Sequence, residues 1–164
     1  MRPLQVETRS AAETHAVAAA VAGVVRAGDV LLLSGDLGAG KTVFARGLAE
    51  GLDVDDQVVS PTFTIVREYA GRLPLVHVDV YRLDHVQELH DVGWDDYLDG
   101  DSVALVEWGD RVGALLPLDR LDVRLDLTDG DDDAALDTRV VTLAPSGSSW
   151  MARADALAAL VEVA

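Results

Sequence analysis

Cysteine is absent from this chain of 164 residues. Its absence excludes a disulfide framework, a thiolate metal site and a thiol nucleophile. Long apolar runs are absent as well, because the longest, Ala16–Val25, has ten residues and is too short to span a bilayer. The first residues, MRPLQVETRS, lack the apolar stretch of a signal peptide. We therefore expect a cytoplasmic protein.

Positive charge is also scarce. The 13 Lys and Arg residues stand against 29 Asp and Glu residues, which gives a formal net charge of −16. Such a charge repels a phosphate backbone, so direct binding to a nucleic acid is disfavoured. Asparagine is missing, and Lys41 is the only lysine. A single ammonium in a chain that otherwise uses guanidinium groups points to a specific role for residue 41.

Apolar segments of strand length recur along the chain. Val30–Leu33 are four consecutive apolar residues, a pattern typical of a strand that is buried on both faces. The segment RLDVRLDLT alternates strictly between apolar and charged residues, which predicts a half-buried strand near the sheet edge. The other predicted strands are LQVET, TFTIVREYA, LPLVHVDVY, SVALVEW and RVVTLA.

Helices are predicted between these strands. Ser10 and Glu13 have the spacing of a capping box, so a helix should begin there and run to about Ala27, where Gly28 ends it. KTVFARGLAEGL predicts a second helix, and HVQELHDVGWDDYL predicts a short helix with a loop. A closing helix is expected at about residues 148–163. Its apolar stripe consists of Trp150, Ala154, Leu157, Leu160 and Val161.

The segment GDLGAGKT, residues 35–42, matches the pattern G-x-x-x-x-G-K-[ST] between a predicted buried strand and a predicted helix. Glycines let the backbone turn several N–H groups inward, and the helix N-terminus adds positive potential for phosphate. Lys41 would reach the β- and γ-phosphates, and Thr42 would offer a hydroxyl to Mg²⁺. The motif predicts binding of a nucleoside triphosphate with Mg²⁺; the alternative is a glycine-rich turn that matches by chance.

The order of these elements predicts the fold. Strands alternate with helices, and no repeat or linker divides the chain, so we expect one domain over residues 1–164. The predicted architecture is a P-loop NTPase-like α/β fold with a mostly parallel central sheet flanked by helices and with antiparallel edge strands. The closing helix should pack on the sheet.

Two predicted strands end in a carboxylate. LVHVD ends at Asp79, and VALVE ends at Glu107. Both side chains would emerge at the carboxyl edge of the sheet, where ligands of open α/β sheets bind. P-loop enzymes need an acid at that edge to hold the metal or its water. The alternative for each residue is an acid that caps a loop at a strand end.

The segment SPTF follows the helix of the phosphate loop. Pro61 forces Ser60 into an extended conformation, and the hydroxyls of Ser60 and Thr62 flank the proline. This is where a switch that senses the γ-phosphate would lie, although an ordinary turn into the next strand fits the spacing equally well. His77, inside an apolar strand, is predicted to be a packed core residue.

The residue types that the sequence lacks also narrow the choice of nucleotide. GTPases usually carry an [NT]-K-x-D motif that reads the base, and a chain with no asparagine and no second lysine cannot form it. ATP is therefore the expected nucleotide. A small-molecule kinase would carry an arginine-rich lid, whereas Arg67, Arg72 and Arg82 are dispersed. The kinase interpretation is weakened by this dispersion but stays open.

Four motifs, GDLGAGKT, SPTFTIVREY, HVDVYRL and LVEWGDR, occur in the order and spacing of the bacterial TsaE (YjeE) family. The chain resembles this family from about Val6 to Leu127. The resemblance implies an ATPase required for threonylcarbamoyladenosine modification of tRNA. It also implies two partners: TsaD, which transfers the threonylcarbamoyl group, and TsaB, its scaffold. The chain itself would hydrolyse ATP, slowly when alone, and would meet tRNA only indirectly.

The resemblance also implies roles for individual residues. Thr42 and Glu107 would approach Mg²⁺, while Lys41, Asp79 and Glu107 would be catalytic, with Asp79 holding the metal-bound or attacking water. Ser60, Thr62 and Trp108 would belong to a switch-like segment. The nucleotide would contact Gly35, Asp36, Leu37, Gly38, Ala39, Gly40, Lys41, Thr42 and Arg139. An ATP-sensing module without essential hydrolysis is the other alternative that stays open.

Overall fold

A computed structural model describes residues 2–61, 66–81, 83, 86–108, 112–128 and 137–164. These ranges form a seven-stranded sheet with the order β1-β7-β6-β2-β5-β4-β3. The strands are β1 (Leu4–Thr8), β2 (Val30–Gly35), β3 (Val66–Tyr69), β4 (Leu75–Asp79), β5 (Val103–Glu107), β6 (Arg120–Leu127) and β7 (Arg139–Ser146). The helices are α1 (Ala11–Ala22), α2 (Lys41–Gly51), α3 (Val86–Asp91), α4 (Trp94–Leu98), α5 (Gly147–Met151) and α6 (Ala154–Val161), with a 3₁₀ turn at Gly113–Leu115.

The centre of the sheet is parallel and its two sides are antiparallel. Strand β2 pairs in parallel with β5 and β6, and β4 pairs in parallel with β5. Strands β3, β7 and β1 are added in antiparallel orientation. The predicted α/β class with a mostly parallel central sheet is confirmed.

Two apolar layers cover the sheet because its central strands are buried on both faces. One layer packs Leu31 and Leu33 of β2 against helices α1 and α2, which contribute Val21 and Phe44 among others. The second layer packs the alternate residues of β2, β4 and β5 against Trp94 and its neighbours. The predicted core position of His77 is confirmed, since its side chain is fully buried.

Helix α1 begins where the capping box predicts, because the Ser10 hydroxyl accepts a hydrogen bond of 3.1 Å from Glu13 N. The predicted end near Ala27 is wrong, since the helix ends at Ala22. The connection to β2 is fixed instead by contacts outside the helix. Val24 O accepts from the Arg153 side chain, and Arg26 N donates to Asp29 at 2.7 Å.

The prediction of one closing helix is also wrong. Helices α5 and α6 are separated at Arg153, whose side chain turns inward to Asp29. The apolar stripe is confirmed at Trp150, Ala154, Leu157 and Val161, which are buried, but Leu160 is only half-buried. Trp150, Leu157 and Val161 belong to the same apolar layer as the side chains of β6 and β7.

Strand β6 shows the predicted alternation but not the predicted place. It lies third from one edge, with β2 on one side and β7 on the other. Leu121, Val123 and Leu125 are buried, whereas Arg124 on the opposite face is exposed. The alternation in β6 therefore indicates that one face of the strand is open to water. It does not indicate that the strand lies near the sheet edge. The described part of the chain contains no helix whose length and apolar character would let it cross a membrane.

Candidate nucleotide-binding site

The loop between β2 and α2 is built around glycines that no other residue replaces easily. Gly35 has φ +144°, and a Cβ there would lie 2.5 Å from the carbonyl oxygen of Leu125. Gly40 has φ +105° and is the N-cap of α2, where no side chain caps the helix. The backbone N–H groups of the first helical turn are therefore left for an anionic ligand, and the helix dipole favours negative charge at the same place.

The Lys41 ammonium is held over this loop. Nζ donates to the carbonyl oxygen of Gly35 at 2.8 Å and to that of Asp36 at 2.9 Å. It also lies 3.9 Å from the centre of the Trp108 ring, a cation–π contact. Only 6% of Lys41 is exposed. The ammonium thus occupies a narrow slot lined by loop carbonyls and an indole face.

The two strand-end acids meet at the same edge of the sheet as this loop. Asp79 and Glu107 are register partners on the parallel strands β4 and β5. Both are buried, with 7% and 2% exposure. The predicted convergence of these carboxylates beside the loop is thus present in the fold.

Burial raises the pKa of Asp79 above its usual range, and the neighbouring Glu107 carboxylate adds to this effect. Two hydrogen bonds oppose the rise. Tyr81 N donates to Oδ1 of Asp79 at 2.9 Å, and the Ser60 side chain donates to the same carboxylate. Asp79 is therefore a carboxylate whose ionised form is held at a cost to the fold.

This cost predicts a pH-dependent stability gain for Asp79→Asn. The folded-state pKa lies above the unfolded one, so the native state loses stability as the pH rises and the carboxyl ionises. The amide has no charge and retains an acceptor for Tyr81 N–H. In Mg²⁺-free buffer we expect a higher free energy of unfolding at about pH 7.5, with a gain that shrinks as the pH falls through the folded-state pKa.

Urea unfolding at several pH values measures this gain. Asp101→Asn is the matched control, because Asp101 is exposed and the change should leave stability nearly unaltered at every pH. A loss of stability in Asp79→Asn at neutral pH, or a gain independent of pH, would contradict the expected cost.

A cavity of about 440 Å³ opens between the loop, the strand-end acids and β7. Its lining residues are Leu37, Gly38, Gly40, Lys41, Thr42, Val43, Ser60, Asp79, Tyr81, Glu107, Trp108 and Arg139. Three residues predicted to contact the nucleotide lie outside this lining. Ala39 is buried behind the loop, while Gly35 and Asp36 contribute the carbonyls that bind Lys41. Thr62 lies outside the described residues.

Arg139 and Trp108 complete the rim. Arg139 is the first residue of β7, and its Nε donates to Ala39 O at 2.9 Å, which ties the loop to the strand. Trp108 follows Glu107 with φ +61°, a left-handed conformation that is uncommon for a bulky residue. The backbone N–H of Trp108 donates to Leu33 O at 2.9 Å, and the centres of the Trp108 and Tyr81 rings are 4.8 Å apart. Backbone strain of this kind is concentrated at functional sites.

The side chains in the cavity are suited to a magnesium ion that arrives with a nucleotide. Thr42 supplies a hydroxyl and Glu107 a carboxylate, both hard oxygen ligands. Within the described ranges no three His, Asp or Glu side chains cluster as a metal site would require. Mg²⁺ is commonly held by one or two protein oxygens together with phosphate oxygens and water, and this cavity provides such a set.

A sequence model of one protein family, described as Threonylcarbamoyl adenosine biosynthesis protein TsaE, matches residues 8–136. The chain belongs to the TsaE family. The match runs from the last residue of β1 to beyond β6 and so includes the loop and both strand-end acids. The resemblance drawn from the four motifs is confirmed.

Individual members of the TsaE family agree with this assignment. A tRNA threonylcarbamoyladenosine biosynthesis protein TsaE from Bacillus subtilis is 47% identical over 134 residues, which cover 81% of this chain and 83% of that protein. The protein of the same name from Streptomyces coelicolor is 47% identical over 134 residues, or 79% of this chain and 88% of the relative. The chain therefore belongs to a family of tRNA threonylcarbamoyladenosine biosynthesis.

The fold agrees with a solved structure as well. The crystal structure of Bacillus subtilis YdiB is similar with a TM-score of 0.79 and 37% sequence identity. The similarity covers 96% of this chain and 95% of the other. It therefore extends past residue 136, where the match to the TsaE family model ends.

Sequence reasoning missed one polar contact at this site. The apolar strand predicts His77 as a packed core residue, and the structure adds a contact of 2.9 Å between its Nε2 and Oε1 of Glu107. A signal was present, because strand alternation places His77 on the same face as Asp79, two residues further along β4. What the sequence lacked was the register that brings β5 and its terminal glutamate alongside.

Proposed function

We propose that this chain is a Mg²⁺-dependent ATPase that supports the threonylcarbamoyladenosine modification of tRNA. It would act on a complex of TsaB-like and TsaD-like proteins without transferring the threonylcarbamoyl group itself. The observation that carries the proposal is one cavity that joins Lys41, Thr42, Asp79 and Glu107 to an uncapped helix N-terminus. This set combines phosphate binding, metal binding and water orientation, which are the three needs of phosphoryl transfer.

Lys41 and the loop would bind the phosphates. The Lys41 ammonium now contacts two loop carbonyls, and phosphate oxygens would compete for the same donor. Together with the N–H groups at the start of α2, it would neutralise charge on the β- and γ-oxygens as the bond to the γ-phosphorus breaks. Thr42 and Glu107 would hold Mg²⁺, which would supply further positive charge for the phosphate oxygens.

Asp79 would orient the attacking water. Its carboxylate is fixed by Tyr81 N–H and by Ser60, so it is aimed before the nucleotide arrives. The Ser60 contact also links this acid to the switch-like segment, because movement of Ser60 would change how the carboxylate is held. This link would couple the γ-phosphate to the surface of the protein.

Glu107→Gln should separate metal binding from nucleotide docking. The amide retains an acceptor for His77 Nε2–H but loses the charge that favours Mg²⁺. We expect ATP affinity in EDTA to stay within about threefold of wild type, while the affinity gained on adding Mg²⁺ falls by about tenfold or more. Calorimetric titration with and without Mg²⁺ measures both. If Mg²⁺ raised the ATP affinity of Glu107→Gln as much as that of wild type, Glu107 would not be a ligand of the metal.

Partners are expected because the chain is poorly suited to hold tRNA. Its net charge of −16 opposes a phosphate backbone but favours a basic protein surface. Co-purification with TsaB-like and TsaD-like proteins, followed by measurement of phosphate release, tests the whole proposal. We expect slow hydrolysis by the chain alone and faster hydrolysis with both partners.

Other outcomes would favour the remaining alternatives. Transfer of labelled phosphate to a small acceptor would indicate a kinase. Full tRNA modification by a variant that binds ATP but cannot hydrolyse it would indicate an ATP-sensing module. Asp79→Asn is suited to that experiment, because it is expected to stay folded while losing the group that orients water.

A further inference from the structure

His77 is a buried titratable residue that the proposed mechanism does not use. It lies in the middle of β4, and its side chain has no exposed surface. Its register partner on β5 is Leu105, which makes Glu107 its diagonal neighbour on the same face of the sheet. Diagonal neighbours on adjacent strands are within reach when the side chains are long.

The contact between the two side chains is short and dry. His77 Nε2 and Glu107 Oε1 are 2.9 Å apart, and the glutamate side chain is only 3% exposed. Because an ionised carboxylate can only accept hydrogen bonds, the imidazole hydrogen must lie on Nε2. The contact engages one oxygen of Glu107, and the same residue lines the cavity.

The other ring nitrogen, Nδ1, takes no part in the contact with Glu107. Among the described residues, His77 Nδ1 has no hydrogen-bond partner. The polar contact of the ring therefore runs through Nε2 alone, as a donor aimed at one carboxylate oxygen of Glu107.

Packing alone does not explain a histidine at this position. Apart from the terminal acids Asp79 and Glu107, the other residues of β4 and β5 are aliphatic, and an aliphatic side chain at position 77 would leave no unsatisfied nitrogen. Asp79 has its own donors in Tyr81 N and Ser60, so the His77 donor serves Glu107. Carboxylates that bind metals are commonly oriented by a hydrogen bond from a residue that does not itself touch the metal.

We propose that His77 is a positioning residue that orients the Glu107 carboxylate for Mg²⁺ bound with the nucleotide. The proposal rests on the proposed function, since it assigns a role within the same cavity. His77 touches neither nucleotide nor metal and acts through Glu107 alone. Its loss should weaken the metal's contribution to binding and leave the phosphate loop intact.

Two substitutions separate the hydrogen bond from packing. His77→Leu removes the donor while keeping an apolar side chain, and His77→Gln restores an N–H donor at similar reach. Leu105→Val is the packing control, because it alters the register partner of His77 without touching Glu107. The measurement is calorimetric titration of a non-hydrolysable ATP analogue, once with Mg²⁺ and once with EDTA.

Mg²⁺ should raise the affinity of wild type for the analogue, and in His77→Leu we expect this increase to be smaller by about tenfold or more. The affinity of His77→Leu in EDTA should stay within about threefold of the wild-type value. His77→Gln should retain most of the gain, and Leu105→Val all of it. A full Mg²⁺ gain in His77→Leu, or an equal loss in His77→Gln and Leu105→Val, would overturn the positioning role while leaving the ATPase proposal standing. If the wild-type chain does not bind the analogue, both proposals fall.

A measurement on the wild-type protein keeps the test independent of variant folding. Nitrogen-15 NMR distinguishes the two neutral tautomers and the imidazolium form. We expect a hydrogen on Nε2 in the nucleotide-free protein. A ring that carries its hydrogen on Nδ1 alone would leave Nε2 unable to donate and would overturn the proposal.

Discussion

Phosphate release from ATP should fall by about 100-fold or more in Lys41→Ala. The ammonium is the only lysine side chain in the protein, and it is held over the loop by the carbonyls of Gly35 and Asp36. Its removal would take away the positive charge that we propose for neutralising the β- and γ-phosphate oxygens. Steady-state phosphate release, with and without partner proteins, measures the loss.

Phosphate release by Lys41→Arg should be nearly as low as that by Lys41→Ala, because the slot has the shape of an ammonium. The side chain is 6% exposed and lies between loop carbonyls and the Trp108 ring. A planar guanidinium is larger and presents its donors in a fixed fork, so it would displace the loop or the indole. Substantial activity in Lys41→Arg would show that charge alone suffices and would contradict the role of shape.

Arg67→Ala is the matched charge control for both variants. Arg67 is exposed on β3 and lies outside the cavity lining, so the substitution also removes one positive charge but should leave turnover unchanged. If Lys41→Ala released phosphate from ATP at the wild-type rate, the loop would have no part in catalysis.

The largest expected effect on stability comes from Asp29→Ala. Asp29 and Arg153 form a buried pair with two hydrogen bonds, Nη1 to Oδ2 at 2.6 Å and Nη2 to Oδ1 at 2.8 Å. The two residues are 8% and 5% exposed. Removing the carboxylate leaves the guanidinium buried without a counter-charge, so we expect the free energy of unfolding to fall by about 3–5 kcal/mol.

The double variant Asp29→Ala/Arg153→Leu should recover part of this loss, because no charge is then left buried. The recovery is incomplete, since Arg153 also donates to Val24 O at 2.8 Å and lies 4.1 Å from the Trp150 ring. Arg9→Ala is the surface control. It breaks the exposed pair with Glu7 and should cost less than about 1 kcal/mol.

Urea unfolding monitored by tryptophan fluorescence and by circular dichroism measures the three variants. The pair joins the segment before β2 to the break between α5 and α6, so its loss should also loosen the C-terminal helices. A cost below about 1 kcal/mol for Asp29→Ala would show that the guanidinium finds water or another partner.

The parts of the fold that follow from local pattern were predictable from the sequence. Runs such as Val30–Leu33 identify strands buried on both faces, and the glycines and Lys41 identify the loop between β2 and α2. Parallel strands then bring Asp79 and Glu107 to one edge, which needs only the strand ends and the direction of pairing.

The contacts that escaped prediction join residues far apart in the chain. His77 and Glu107 are 30 positions apart, and Asp29 and Arg153 are 124 apart. Each pair depends on tertiary placement that no local pattern encodes. The second pair lies at both places where the helix predictions were wrong. Arg153 turns inward at the break in the closing helix, and the segment after Ala22 supplies Val24 O and Asp29 to its side chain.

Direct titration is the simplest test of whether the cavity beside Lys41 binds ATP with Mg²⁺. A non-hydrolysable ATP analogue, titrated by calorimetry into the wild-type chain with Mg²⁺, should bind with one-to-one stoichiometry. Binding should weaken in EDTA and disappear in Lys41→Ala. Absence of saturable binding at millimolar analogue, or equal binding by Lys41→Ala, would contradict the account.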